Sequence, residues 1–177
     1  MLPNITLRIE NLIKAMETIV IPAVDPDNDL ATEQAQLIIG HLKLLNTQWD
    51  MAYLYELQAL EEALLLGREL LAVADGGPET QAAKCALEAE INAVPEQKPH
   101  TSAALNISVV AVGTAIDTLI YACHNDGSEN FKQCLASLVL ATGEKQVMRD
   151  RVWFQATGLD PDPASLSSIE AMLNSSR

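Results

Sequence analysis

The sequence predicts an all-α fold, an antiparallel helical bundle of four to five main helices plus a short C-terminal helix. Its eight prolines leave residues 27–77 and 100–160 free of proline. Because proline lacks an amide proton and clashes with the preceding helical turn, long helices occupy segments of this kind. Alanine and leucine dominate the hydrophobic residues, and aromatic residues make up only 4% of the chain, which favours helices over sheets.

The first predicted helix runs from about Asn4 to Val20, and Pro22 is expected to end it. Its hydrophobic residues recur at steps of three and four with charged residues between them, which indicates an amphipathic helix rather than a signal peptide. The stripe comprises Leu2, Ile5, Ile9, Leu12, Met16 and Ile19. Without a signal peptide or a disulfide pattern, we expect a cytoplasmic location.

A second helical pattern covers residues 30–74, with Asp29 as the expected N-cap. An unbroken helix of this length would be on the order of 70 Å long, more than a compact domain of this size spans. It is therefore either two helices that break near Gly40 or between Asn46 and Asp50, or one helix whose overhang another subunit covers. We favour one bent helix. The hydrophobic stripe changes phase after Asp50, which indicates that different partners cover its two halves.

Proline, glycine and capping residues bound the remaining helices. These are predicted from Pro78 to about Ala93, from Thr101 or Ser102 to about Cys123, from Asp126 to about Thr157, and from Asp162 or Pro163 to Leu173. Asp126 with Glu129 three residues later resembles a capping box. Asn174 to Arg177 are expected to be frayed, and residues 1–177 are predicted to form a single domain.

The fourth predicted helix is the most apolar segment, so a transmembrane helix is one interpretation of it. Asp117 near its middle opposes that interpretation, because a carboxylate is costly inside a bilayer. We predict instead a central bundle helix that neighbouring helices cover nearly all round, with small residues permitting their close approach.

The net charge narrows the class of partner that the chain could bind. A net charge of −13 argues against nucleic acid and against anionic membranes as partners, because proteins bind both through basic residues.

The three cysteines are odd in number and irregularly spaced, at Cys85, Cys123 and Cys134. This pattern fits neither a disulfide framework nor a paired zinc motif. They are predicted to be reduced thiols in the core.

Five residues are candidate ligand-binding residues, namely Trp49, Tyr53, Asp117, Tyr121 and His124. Asp117, Tyr121 and His124 share one face of the fourth helix. That face either lines a pocket, with Asp117 and His124 as an acid/base pair or a partial metal site, or faces solvent, with His124 near the helix C-terminus. Trp49 and Tyr53 lie one turn apart, and such aromatic pairs line pockets or fill cores.

Lys145, Arg149 and Arg151 are candidate partner-binding residues, because they concentrate positive charge in an acidic chain. An acidic partner would bind such a patch. The alternative is that these side chains pair with carboxylates of the chain itself.

The sequence contains no motif that specifies a chemistry. Glu-x-x-His, which carries ligands in dimetal bundles, is missing, as are Gly-x-Ser-x-Gly, His-Glu-x-x-His and a glycine-rich phosphate loop. We therefore predict no catalytic residue, no metal and no cofactor. Two functions remain open: a non-catalytic, self-associating accessory protein, expected as a homodimer, or a bundle that binds a small apolar or acyl ligand between its helices.

Overall fold

The computed structural model describes residues 4–174, and they confirm the all-α bundle: they contain no strand. The helices are α1 (Ile5–Ala15), α2 (Ile21–Ala23), α3 (Asp29–Gln48), α4 (Ala52–Val73), α5 (Pro78–Ala93), α6 (Ser102–Asp126), α7 (Glu129–Trp153) and α8 (Ile169–Asn174). Leu2 of the first stripe and residues 175–177 of the expected frayed end lie outside the described residues. Asn174 itself is the last residue of α8.

The chain divides into two compact units. Unit 1 takes the residues up to Met51 together with Asp150–Glu170, and unit 2 takes Ala52–Arg149 together with the residues from Ala171 onward. In unit 1, α1 packs on α3, whereas in unit 2 α6 packs on both α4 and α5. That residues 1–177 form a single domain stays a prediction.

The first helical segment passes through Pro22 and ends at Ala23, so the predicted end at Val20 is wrong. A π-helical turn, Met16–Val20, joins α1 to α2, and the Ile21 amide donates to the Met16 carbonyl five residues back. Pro22 therefore falls in the first turn of α2, where a missing amide proton leaves no bond unmade.

The prediction of one continuous helix over residues 30–74 is wrong, and the break lies at Trp49–Met51. The Met51 amide bonds to the Gln48 carbonyl three residues back, which tightens the chain into a turn. Within unit 1, the Gln48 side-chain amide donates to the Trp153 carbonyl at 2.8 Å. This tertiary bond lies at the end of α3. The break overlaps the alternative named between Asn46 and Asp50, whereas the helix continues through the other alternative, Gly40.

The N-cap of α3 is Asn28 rather than Asp29, because the Asn28 side chain accepts the Ala31 amide. The other boundaries follow the sequence more closely. Thr101 caps α6, and α5 spans Pro78–Ala93 as predicted. The fifth and last helices differ: α7 ends at Trp153 before a 3₁₀ turn, Gln155–Thr157, and Pro163–Ser165 forms a separate 3₁₀ turn ahead of α8.

Asp126 does not form the predicted capping box with Glu129, because its carboxylate caps a different helix. Its oxygens accept the amides of Glu79 at 2.8 Å and Thr80 at 2.9 Å, and the Thr80 hydroxyl at 2.6 Å. These are free first-turn donors of α5. Ser128 takes the local role, since its hydroxyl accepts the Phe131 amide at the start of α7. Asp126 thus fastens the end of α6 to the start of α5.

This cross-helix cap predicts a pH dependence of stability. The Thr80 hydroxyl and the amides of Glu79 and Thr80 lower the pKa of Asp126 below its ordinary value of 3.8, against a smaller opposing effect of burial. Because the folded pKa lies below the unfolded one, the stabilisation is complete well above pH 3.8 and is lost as pH falls through the folded pKa. We expect the melting temperature of the wild type to fall more steeply below about pH 5 than that of Asp126→Asn.

Thr80→Val is the matched variant, because it removes the largest cause of the shift and retains the carboxylate. We expect it to have an intermediate slope of melting temperature against pH. If the wild type and Asp126→Asn have parallel profiles between pH 5 and pH 3, the cap does not contribute in this way.

The core of unit 2 is aliphatic, with one aromatic side chain contributed by α7. The large side chains that are fully buried are Leu60, Leu70, Leu87, Leu105, Leu119 and Phe131. Helices α4 to α7 each contribute to this set, so one hydrophobic cluster holds all four together.

The three cysteines differ in how deeply they are buried. Cys123 is buried in this core, where burial raises the pKa of its thiol and Lys132 opposes the shift. Cys85 on α5 is exposed, so the prediction of a core thiol is wrong there. It lies on the face of α5 opposite Thr80, Ala83 and Leu87, which are buried. Cys134 on α7 is half-buried.

Candidate functional site

Helix α6 is covered on one side only, which corrects the prediction that neighbouring helices cover it nearly all round. Its exposed residues fall within a sector of about 120° at 3.6 residues per turn. They are Ala103, Asn106, Ile107, Val110, Thr114, Asp117, Thr118, Tyr121, His124 and Asn125. Asp117 is the one carboxylate among them, although acidic residues are 24 of the 177 in the chain.

The middle of this sector is apolar or uncharged along the whole helix. We call it the α6 strip: Ala103, Ile107, Val110, Thr114, Thr118 and Tyr121. Two of its largest side chains are among the most exposed hydrophobic residues, with Ile107 at 71% and Tyr121 at 75%. A solvated helix face normally carries charged side chains, so this surface has the composition of a contact face.

Among the described helices, α6 is the one with the length and hydropathy that a membrane span requires. One such helix is weak evidence, because core helices of soluble proteins pass the same criterion. Within unit 2 its other face packs on α4 and α5, and Asp117, near the middle of its length, is exposed.

A groove of about 320 Å³ lies between α4, α6 and α7 in unit 2. Its walls are mainly aliphatic, and Asp117 lies at the edge of the α6 wall. The lining residues are Ala59, Glu62, Ala63, Leu66, Val109, Gly113, Ile116, Asp117, Ile120, Val139, Thr142, Gly143, Gln146 and Arg149. Gly113 and Gly143 contribute to its width, because a Cβ atom at either position would meet no atom within 4 Å.

Glu62 and Arg149 form a buried ion pair at this groove. The Arg149 guanidinium donates to the Glu62 carboxylate at 2.6 Å, and the Arg149 side chain is only 7% exposed against 23% for Glu62. The guanidinium also stacks over the Tyr55 ring, 5.1 Å from its centre, which is a cation–π distance. The groove therefore combines an aliphatic surface with one compensated charge pair.

The structure brings two of the predicted site residues, Asp117 and Arg149, to the walls of this groove. Tyr121 and His124 lie on the exposed face of α6, as in the solvent-facing alternative. Tyr53 lies in unit 2 and donates its hydroxyl to the Pro99 carbonyl, whereas Trp49 belongs to unit 1. The assignment of these residues to ligand binding stays a prediction.

The predicted cationic patch resolves into three different environments. Arg149 is buried with Glu62, and Arg151 in unit 1 makes two hydrogen bonds of 2.9 Å to Asp160. That pairing raises the pKa of Arg151 and lowers the pKa of Asp160. Lys145 is exposed. Both arginines thus pair with carboxylates of the chain, the simpler of the two interpretations.

Unit 1 carries a second, larger groove that the sequence did not indicate. It has a volume of about 580 Å³ and lies between α3, including Leu37, Ile39 and Leu44, and the segment that contains Thr157 and Leu159. Leu159 follows Gly158, whose φ of 72° turns the chain in a way that favours glycine. Within residues 4–174, no group of three or more His, Cys, Asp or Glu side chains is arranged to hold a metal ion.

Comparisons of this chain with models of protein families, with curated proteins and with solved structures find no significant match. The two features of unit 2 that bear on function are the α6 strip and the groove beside it.

The open space at Gly113 predicts opposite effects for two glycine substitutions. Gly113→Ala is expected to raise the free energy of unfolding by about 0.5–1 kcal/mol, because alanine favours helices and its methyl group meets nothing. Gly76→Ala, between α4 and α5, should lower it, because the new Cβ would lie 2.8 Å from the backbone carbonyl oxygen of Asp126 and 2.8 Å from the Gly127 Cα atom. Urea denaturation of both variants measures the difference, and two changes of equal sign would contradict the packing described.

Proposed function

We propose that this protein is a non-catalytic, self-associating helical-bundle protein that acts as an interaction or accessory protein, as a cytoplasmic homodimer. The observation that carries the proposal is the α6 strip, a helix-long surface without a formal charge in a chain of net charge −13. Exposed apolar surfaces of this extent are typical of protein contact sites. Further hydrophobic residues, Leu140 and Val147, are exposed on α7 of the same unit.

Charge supports association through a surface of this kind. Two copies at −13 each repel one another, so contact is least unfavourable where few carboxylates are brought together. Added salt screens that repulsion and leaves apolar contact intact. Dimerisation is therefore expected to strengthen between about 0.05 and 0.5 M salt, the opposite of an association held by ion pairs.

Light scattering coupled to size-exclusion chromatography tests the proposal. We expect a mass near twice the 19.2 kDa of the chain at micromolar concentration, with a larger dimeric fraction at high salt. A mass of 19.2 kDa at every concentration and salt level would overturn self-association. An accessory role further requires that the dimer changes the activity or stability of an enzyme of the same cell.

The groove supports a second candidate function, the binding of a small apolar or acyl ligand. Its volume of about 320 Å³ is at the lower end of the range of ligand pockets, and aliphatic walls with few polar groups are typical of them. Asp117 and Arg149, together with Glu62, are the polar groups that would orient such a ligand.

Dodecanoic acid is a suitable probe for the groove, measured by calorimetry, and native mass spectrometry of the purified protein would show any retained lipid. Gly113→Leu fills the groove and is expected to abolish binding. Gly40→Leu is the comparison variant, because Gly40 on α3 in unit 1 also has open space around it and lines the second groove. Binding that survives Gly113→Leu, or that Gly40→Leu removes equally, would place the ligand elsewhere.

A further inference from the structure

We propose that two copies associate through the α6 strip, with their α6 helices antiparallel across a twofold axis that passes beside Thr114. This inference rests on the proposed self-association and specifies the surface, the orientation and the register. Four properties of α6 support it, namely the spacing of the strip, the positions of its largest side chains, the position of the one carboxylate in its exposed sector and the area available.

The spacing of the α6 strip is that of a helix-packing seam. From Ala103 to Tyr121 its members follow at steps of four, three, four, four and three residues, which average one helical turn. Side chains at such steps form a ridge parallel to the helix axis that packs against a second helix. The small and β-branched members, Ala103, Val110, Thr114 and Thr118, permit close approach of a second backbone.

The positions of Ile107 and Tyr121 fix the register. An antiparallel pair centred at residue 114 sets each residue opposite the one equally far on the other side of the centre in the second copy. Tyr121 then meets Ile107 of the second copy, and the same contact recurs through the twofold. This register buries the two most exposed large side chains of α6 against each other twice, and sets Thr118 opposite Val110.

Asp117 decides between the two orientations. A parallel pair would set Asp117 against Asp117 of the second copy, and like charges in apolar surroundings are unfavourable. The antiparallel pair separates the two Asp117 residues by six residues, about 9 Å along the helix axis, and leaves each at the edge beside the groove. Antiparallel helices also bring opposite ends of the helix dipoles together.

The area available is consistent with a dimer once α7 is included. With 25 residues, α6 is about 37 Å long, and one helix face of that length falls short of the roughly 800 Å² per partner of a stable interface. Leu140 and Val147, exposed on α7, flank Val139, Gly143 and Gln146 of the groove wall. They extend the apolar surface beyond α6.

Disulfide trapping tests the register. In a background with Cys85→Ser and Cys134→Ser, Thr114→Cys places one thiol of each copy beside the twofold, where Cα atoms of packed helices come within disulfide range. We expect rapid formation of a covalent dimer under mild oxidation. Ala82→Cys, exposed on α5, is the control and should react at least tenfold more slowly.

A charge placed on the strip tests the surface independently. Ile107→Glu buries two carboxylates per dimer, so the dissociation constant of the dimer should rise at least tenfold. Leu30→Glu, at an equally exposed position in unit 1, should leave it unchanged. A wild-type dimer that Ile107→Glu does not weaken, or Thr114→Cys that reacts no faster than Ala82→Cys, overturns this interface and leaves self-association standing. A monomeric wild type overturns both.

Discussion

Phe131→Ala is expected to lower the free energy of unfolding of unit 2 by about 3–5 kcal/mol. Phe131 is fully buried and is the aromatic side chain by which α7 enters the leucine core shared with α4, α5 and α6. Its truncation removes apolar contacts from all of these helices and leaves a cavity in a close-packed interior. For a denaturant dependence of about 2 kcal/mol per M, the urea midpoint should fall by roughly 1.5–2.5 M.

The chain offers a matched control for this change. Phe154 is the other phenylalanine, and it is 48% exposed, so Phe154→Ala should change stability by no more than about 0.5 kcal/mol. Far-UV circular dichroism follows the helices, whereas fluorescence of Trp49 and Trp153 follows unit 1, which contains both tryptophans. Equal effects of Phe131→Ala and Phe154→Ala would contradict the burial described for Phe131.

Helix ends were predictable from the sequence where the signal is local. Pro78 begins α5 because its missing amide proton costs nothing at that position, and Thr101 caps α6 through an amide three residues away. Asp126 shows that a cap cannot be predicted in this way when its donors lie on another helix. It is a good capping residue, but the donors that it satisfies, Glu79 and Thr80, lie 47 and 46 residues earlier. Nothing in residues 126–129 shows which helix the carboxylate caps.

The break at Trp49–Met51 overlaps the segment from Asn46 to Asp50, one of the two break points considered from the sequence, but the local residues did not favour a break over continuation. The sequence there contains neither proline nor glycine, and helix propensity therefore favours continuation. The Gln48 bond to the Trp153 carbonyl joins residues 105 positions apart. A tertiary contact of this kind overrides local preference and leaves no trace in the surrounding residues.

The candidate site was predictable only in part. Periodicity placed Asp117, Tyr121 and His124 on one face of α6, and that face is exposed. The groove depends on Gly113 and Gly143, which lie on different helices, and only the fold brings them to the same groove. The apolar composition of α6 indicated burial on every side. Composition does not say whether a face is buried within the chain or by another copy, so the α6 strip became visible only in the structure.

Substitutions of Glu62 and of Arg149 are expected to lower the free energy of unfolding by unequal amounts. Glu62→Ala should lower the free energy of unfolding by about 3 kcal/mol, because it removes the carboxylate that compensates a guanidinium held in the interior. Arg149→Met should cost about 1 kcal/mol. Methionine keeps the apolar stem and removes the buried charge, and the Glu62 carboxylate, which is partly exposed, regains hydration.

The double variant Glu62→Leu with Arg149→Met completes the comparison, and we expect it to be at least as stable as Glu62→Ala, since no charge is left in the interior. The exposed pair Lys43 and Glu17 in unit 1, separated by 2.8 Å, serves as the control: Glu17→Ala should cost no more than about 0.5 kcal/mol. Two ion pairs of similar length thus differ because one guanidinium is buried and one ammonium is solvated. If Arg149→Met proves as costly as Glu62→Ala, burial of the guanidinium does not govern the pair.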